Sequence, residues 1–208
     1  SQEAGIALSD ILNGSVSTDE LKQIGSTMCN LAMLPMHIDD GFNLNITTLR
    51  ARIMKLVRTQ GIKAVFIDYL QLMKTPKSSN REREIAETTR ALKSMAKEFR
   101  LPIVILSQLN RMSEGRLDNR PMPSDLRESG AIEQDADIIL LLHRPEVYGA
   151  NTYSDGTPTL NTCEVIIAKQ RNGATGDVVL GYIKHLTKFS NLYENYQAGV
   201  NANDDVPF

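Results

Sequence analysis

Ala64-Val65-Phe66-Ile67-Asp68-Tyr69-Leu70-Gln71-Leu72 is an apolar run interrupted by a single carboxylate. It follows a helical segment and Gly61, and a short run bounded in this way reads as a central parallel strand buried on both faces. Asp68 then stands at the C-terminal edge of that strand, where open α/β sheets hold their ligands. In nucleoside triphosphatases an aspartate in that place helps to organise Mg²⁺ beside the phosphates. A helix cap or a turn uses an aspartate equally well, so the run alone leaves both readings open.

Helical and strand patterns alternate on either side of this run. Ser17-Thr18-Asp19-Glu20 carries cap-type residues and predicts a helix with Leu21, Ile24, Met28 and Leu31 at helical spacing. Met36-His37-Ile38 reads as a short strand. Thr47 opens the next helix, with Leu49, Ile53, Leu56 and Val57 on one side. A polar stretch, Lys74 to Asn80, precedes a long helix from about Arg81 to Arg100. Leu101 to Leu106 is a second buried strand ending in Ser107-Gln108, and a long polar segment then reaches Gln134. Asp137 to Leu142 is a third central strand ending at His143-Arg144. Residues 145–160 read as a surface loop, and two final strands lie near 162–169 and 177–184, with Asn172-Gly173 as the turn between them.

Strands separated by helices require right-handed crossovers. The expected fold class is therefore α/β, a doubly wound, mainly parallel sheet with antiparallel edge strands. Residues 1–196 are expected to form the domain, and 197–208 a polar, disordered tail.

Composition narrows the function. The 208 residues, 41% hydrophobic and 23% charged, are typical of a globular domain. No apolar stretch approaches the roughly 20 residues that cross a bilayer, and no signal peptide opens the chain, so a cytoplasmic location without membrane contact is expected. Cys29 and Cys163 lack metal-ligand spacing and read as reduced thiols. A net charge of −2 gives no bulk support for nucleic-acid binding, and five Phe, six Tyr and no Trp make a poor stacking platform. Any such contact must come from local clusters.

Several side chains are candidates on their own chemistry. Gln108 ends a neighbouring strand, where a neutral amide can hydrogen-bond a γ-phosphate or the attacking water; a strand-end amide bonded to backbone is the plain alternative. Lys169 and Arg171 are two residues apart, so they project to one side and repel each other unless an anion lies between them, or they are simply a solvated edge pair. Lys74, Lys77, Arg81 and Arg83 make a locally cationic segment suited to phosphate contacts. In the stretch from Asn110 to Gly130, Arg111, Arg116, Arg120 and Arg127 are balanced by Glu114, Asp118, Asp125 and Glu128, so charge alone does not make it a DNA loop. His37, His143 and His185 show no zinc spacing and read as structural. Met28, Met33, Met54 and Met95 sit at helical core spacing.

Four segments taken together are more specific: Phe66-Ile67-Asp68-Tyr69-Leu70-Gln71-Leu72-Met73, Leu106-Ser107-Gln108-Leu109-Asn110-Arg111, Asp125-Leu126-Arg127-Glu128-Ser129-Gly130-Ala131-Ile132-Glu133-Gln134-Asp135-Ala136-Asp137, and Ala168-Lys169-Gln170-Arg171-Asn172-Gly173. In order and spacing they resemble the C-terminal RecA-like motor domain of the DnaB family of replicative DNA helicases, from Ser1 to about Tyr193. The resemblance implies a P-loop NTPase core using ATP and Mg²⁺, with Asp68 as the Walker B carboxylate and metal-organising residue and Gln108 as the phosphate sensor. Lys169 and Arg171 would reach the γ-phosphate on a neighbouring subunit, while Arg127, Glu128 and Gly130 would line a channel for single-stranded DNA; Arg81 and Arg83 are added as DNA contacts on their local charge alone. A homohexamer, a primase and a helicase loader are the implied partners. The Asp125 to Asp137 segment argues against a recombinase-type relative. The chain departs from the family in one respect: it contains no Gly-Lys pair and so no Walker A loop. It is expected to lack the first βαβ unit and the family's catalytic glutamate, and to be inactive alone. The alternative is a non-enzymatic fragment that binds helicase subunits and modulates the ring.

Overall fold

Asn45 sets the first helix of the central region. Its side chain accepts a hydrogen bond from the Thr48 N–H at 2.9 Å, and the helix runs from Ile46 to Gln60 before Gly61 closes it in the left-handed conformation at φ 62°. The computed structural model describes residues 1–41, 44–73, 81–110, 115, 116, 118–126 and 129–192. In chain order the helices are α1 (Leu8–Asn13), α2 (Thr18–Ala32), α3 (Ile46–Gln60), α4 (Arg81–Phe99) and α5 (Ser129–Asp135). The strands are β1 (Val65–Ile67), β2 (Ile103–Ile105), β3 (Ile138–His143), β4 (Thr162–Gln170), β5 (Gly176–Ile183) and β6 (Lys188–Ser190).

β1 and β2 pair in parallel, with Val65 opposite Ile103 and Ile67 opposite Ile105. The other strands form a second sheet in the order β3-β4-β5-β6, in which β5 and β6 are antiparallel. The third central strand expected from the sequence thus exists but lies in the second sheet. A ladder is continuous only where each edge meets a partner strand, and among the described residues no strand bridges β2 and β3.

The chain divides into two compact units. One comprises 40–141 and 166–176. Its core is Leu49 and Ile53 of α3, Ile67 of β1, Leu70 and Met73 after it, Ile85, Leu92 and Met95 of α4, and Leu101. A second cluster of Leu126, Ile139, Leu141 and Ile166 packs with Ile132 and Ala136. These strands are buried on one face only, contrary to the sequence expectation. Phe66 is 71% exposed, Leu106 50% and Leu140 55%, while Ile67, Ile139 and Leu141 are buried. Alternate residues of a strand face opposite sides, and among the described residues no layer of the unit packs on the second side.

The other unit comprises 1–39, 142–165 and 177–208. Its interior is more polar. His143 is buried with Nδ1 3.2 Å from Glu164 Oε2, and its ring stacks on Tyr148 at 6.1 Å between centroids. Arg144 lies over the Tyr182 ring at 4.1 Å. Helix α2 is set by a capping box, Ser17 Oγ accepting from the Glu20 N–H and the Glu20 carboxylate accepting from the Ser17 N–H, but it buries no residue. Leu21, Met28 and Leu31 are exposed, because local capping fixes a helix without supplying a surface to pack its apolar stripe. Met33 and Met54 are exposed as well, and only Met95 of the four methionines joins a core. Met36-His37-Ile38 forms no strand, having no partner ladder; Ile38 is 81% exposed. The stretch 145–160 is not wholly superficial, since Pro145 and Thr159 are buried and Thr159 Oγ1 donates to the Ala150 carbonyl. The tail expected from 197 lies outside the described residues.

Leu92, 2% exposed at the centre of α4, tests the core. Leu92→Ala is expected to cost about 2–5 kcal/mol through lost burial and the cavity left behind, read as a lower urea midpoint with an unchanged m value.

Candidate functional site

The two parallel strands end at a common rim. Leu106 N–H donates to the Ile67 carbonyl at 2.9 Å and Leu70 N–H donates to the Leu106 carbonyl at 2.9 Å, which fastens the chain on both sides of Asp68 to the end of β2. Gln71 completes the fastening: its Nε2 donates to Ser107 Oγ at 3.1 Å, and its Oε1 accepts from the Gln108 N–H at 3.4 Å. Asp68 and Gln108 therefore emerge side by side from neighbouring strand ends, both exposed. The Asp68–Tyr69 peptide bond is cis. Among the described residues no cluster of three or more His, Cys, Asp or Glu could hold a metal by itself. A single exposed carboxylate at a strand end nonetheless suits Mg²⁺, which keeps much of its water and takes one or two carboxylates together with nucleotide phosphates.

The two candidate cations have partners of their own rather than a shared anion. Lys169, near the end of β4, donates from Nζ to the Glu133 carbonyl and, at 3.4 Å, to the Gln134 carbonyl. Those are C-terminal carbonyls of α5, where the helix dipole favours a positive charge. Arg171 donates through its backbone N–H to the Asp137 carbonyl at 2.9 Å and through its guanidinium to Asp137 Oδ1 at 3.4 Å. Lys93 of α4 holds Oδ2 of the same carboxylate. The Lys93 hydrogen bond keeps the Asp137 carboxyl below its ordinary range against a smaller opposing effect of burial, with Arg171 assisting. Both cations thus turn toward the corner where α5 ends.

Of the candidate nucleic-acid contacts, Gly130 is exposed in the first turn of α5, and Arg83 is exposed on α4 with Nε 3.2 Å from Glu87 Oε1 one turn on. Arg81 opens α4. Arg127 and Glu128 lie outside the described residues. The structure adds a brace that the sequence had treated as balanced charge. Arg116 grips Asp125 with both guanidinium nitrogens at 2.6 Å and also donates to the Arg120 carbonyl at 3.0 Å. Met122 N–H donates to Asp125 Oδ2 at 2.8 Å. The Asp125 carbonyl accepts from the Asn110 N–H at 2.6 Å, beside the antiparallel bridge of Leu109 with Leu126. Asp125 is 2% exposed and belongs to the turn that begins at Pro123; that Pro-Ser-Asp start chemistry was the signal available beforehand. The residue just before Arg127 is in this way tied to the residue just after Gln108.

Parallel strands with an acid and an amide at one rim, connected by packed helices, give an open α/β domain whose ligand edge is the carboxyl end of its strands. The chain belongs to the DnaB-like helicase C terminal domain family, whose model matches residues 1–191. It is 41% identical over 193 residues to the replicative DNA helicase DnaB of Mycobacterium leprae, an overlap of 92% of this chain and 31% of the relative. Against the replicative DNA helicase DnaB of Pasteurella multocida the identity is 47% over 175 residues, covering 83% of this chain and 36% of the relative. Among solved structures it is similar to a DnaB-like replicative helicase described with its interactions with primase, at TM-score 0.81 and 34% identity over 92% of this chain and 46% of that one. A solved structure described as an ATPase domain matches at the same TM-score and identity, with 67% of its length covered. The chain therefore covers the C-terminal helicase domain and spans less than half the length of these curated relatives.

The Arg116 hydrogen bond lowers the Asp125 carboxyl's pKa, with burial opposing and the Met122 N–H assisting. Because the folded value lies below the unfolded one, its stabilisation is present above the unfolded value and is lost as pH falls through the lowered one. The stability gap between wild type and Asp125→Asn is therefore expected to be open at pH 7 and to close below about pH 4. Urea titrations at pH 7 and pH 3 measure it, and an equal gap at both would remove the ion pair from the account.

Proposed function

We propose that this chain is the C-terminal motor portion of a ring-forming replicative DNA helicase, which couples ATP hydrolysis to movement on single-stranded DNA and to duplex separation. Asp68 and Gln108 at one strand rim carry the reading, because they bring a metal-organising carboxylate and a phosphate-sensing amide within reach of a single nucleotide. Asp68 holds Mg²⁺, largely through water, and Gln108 bonds the γ-phosphate or the attacking water. Lys169 and Arg171 offset the charge that develops on a neighbouring subunit's nucleotide. Arg127, Glu128 and Gly130, together with Arg81 and Arg83, contact the DNA backbone; contacts of that kind allow movement on any sequence.

Residues 1–196 act as one partial motor domain within a homohexamer in the bacterial or phage-infected cytoplasm. A primase and a helicase loader are the partners; the primase has support from the solved relative described with its interactions with primase. Without a Gly-Lys pair, the 208 residues by themselves are expected to be inactive. The exposed apolar faces of β1, β2 and β3 support a reading of the chain as part of a larger fold. They equally suit the second reading, a fragment that binds helicase subunits and spoils the ring.

In the full-length ring, Lys169→Ala combined with Arg171→Ala is expected to lower single-strand-stimulated ATP hydrolysis by about 10³-fold or more while the ring still forms. Hydrolysis that survives the pair refutes their action on a neighbour's nucleotide. For the channel, Arg127→Ala is expected to reduce the salt slope of single-strand affinity by about one and to weaken binding evenly across sequences. An unchanged slope would take Arg127 out of the channel.

A further inference from the structure

The corner where α5 ends gathers groups that the proposed motor leaves without a role. Asp137 presents one carboxylate oxygen to Lys93 of α4 and the other to Arg171 at 3.4 Å, and its carbonyl accepts the Arg171 N–H at 2.9 Å. Immediately before it, the last carbonyls of α5 accept from Lys169 Nζ. Both cations assigned to a neighbour's phosphate are thus held inside their own unit, by groups five residues or fewer apart in sequence. We propose that Asp137 is a holding residue for Arg171, retaining it in its own subunit and surrendering it only when a phosphate on the neighbour competes. This deepens the functional reading above and rests on its assignment of Arg171.

Three features give the contact the character of a latch rather than a girder. The Arg171 side chain is 65% exposed and Asp137 54%, so the pair is solvated, weak and readily exchanged. The backbone bond from Arg171 to Asp137 keeps the guanidinium's root in place while its tip is free to swing. Lys93, with only 21% of its side chain exposed, holds the opposite oxygen of Asp137 and competes with Arg171 for that carboxylate's charge. The device accordingly has two levers of opposite sign. Removing the carboxylate frees Arg171, whereas removing Lys93 leaves the carboxylate to Arg171 alone. A purely structural ion pair would give loss of function from both.

The test uses the full-length ring, with ATP hydrolysis measured in the absence of single-stranded DNA and with melting temperature and hexamer content recorded for every variant. Asp137→Asn is expected to raise the DNA-free rate about two- to five-fold, the range a weak exposed pair can set, and to lower the ratio of stimulated to unstimulated rate. Lys93→Met is expected to lower the DNA-free rate by a similar factor. Adding Arg171→Ala to Asp137→Asn should abolish the rise. If Asp137→Asn assembles and its rate is unchanged or reduced, the holding role is overturned. If it fails to assemble, Lys93→Met decides alone: a lower rate supports the latch, and an equal or higher rate overturns it. Arg171→Ala by itself separates the two levels. A wild-type rate there defeats the functional assignment of Arg171, whereas a collapsed rate beside an inert Asp137→Asn defeats only the holding role.

Discussion

The pairing of β1 with β2 governs everything else at the site. Three residues of parallel ladder, with Ile67 opposite Ile105, decide that Asp68 and Gln108 leave the sheet at one rim and in one direction. In parallel strands the register alone sets which ends coincide, because both chains run the same way. A slip of one residue would send Asp68 toward the core side and bring Ile67 out into water. The register is held from both ends: Val65 N–H donates to the Pro102 carbonyl at 3.0 Å at the start, and the Leu70 and Leu106 bonds close the finish. Burial supplies the drive, since Ile67 and Leu70 both enter the core of α3 and α4 whereas Phe66 does not.

The same arrangement explains what could be read in the sequence. The apolar run before Asp68, the Ile103 to Ile105 strand and the long α4 announce themselves by local pattern, and each is found within a residue or two of its expected place. The rim pair follows from them, because strand ends and crossovers leave little freedom once the order is known. Pattern could not tell which faces would be covered. An apolar run such as Leu101 to Leu106 looks the same whether one layer or two will pack on it, and here Val104 and Leu106 face away from the core. Helix α2 makes the same point: Ser17 and Glu20 are visible as a capping box, but the partner for Leu21 and Met28 is a tertiary fact.

Long-range ion pairs were the other blind spot. Asp125 and Asp137 both sit in stretches whose charges sum to little, and a sum conceals pairing. Asp125 proves to be a buried anchor gripped from nine residues away, and Asp137 an exposed branch point between α4 and the end of β4. Their environments differ in consequence. A carboxylate at 2% exposure that lost Arg116 would be left charged and desolvated, so its pair is a structural necessity. One that is half exposed can exchange partners at little cost.

That contrast separates fixed parts from movable ones. The Gln108 end of β2 is bound to the Asp125 turn by the Asn110 hydrogen bond and the Leu109–Leu126 bridge, both backbone contacts anchored by a buried ion pair. A displacement at Gln108 must therefore be carried to Asp125 and Leu126 or break that backbone pairing, and backbone pairs beside a buried charge are expensive to break. At the other end of α5, Lys169 and Arg171 are attached by their side chains to carbonyls and to a solvated carboxylate, which water can replace. Stiff backbone coupling thus joins the end of β2 to the Asp125 turn, while the side-chain attachments of Lys169 and Arg171 are the exchangeable ones.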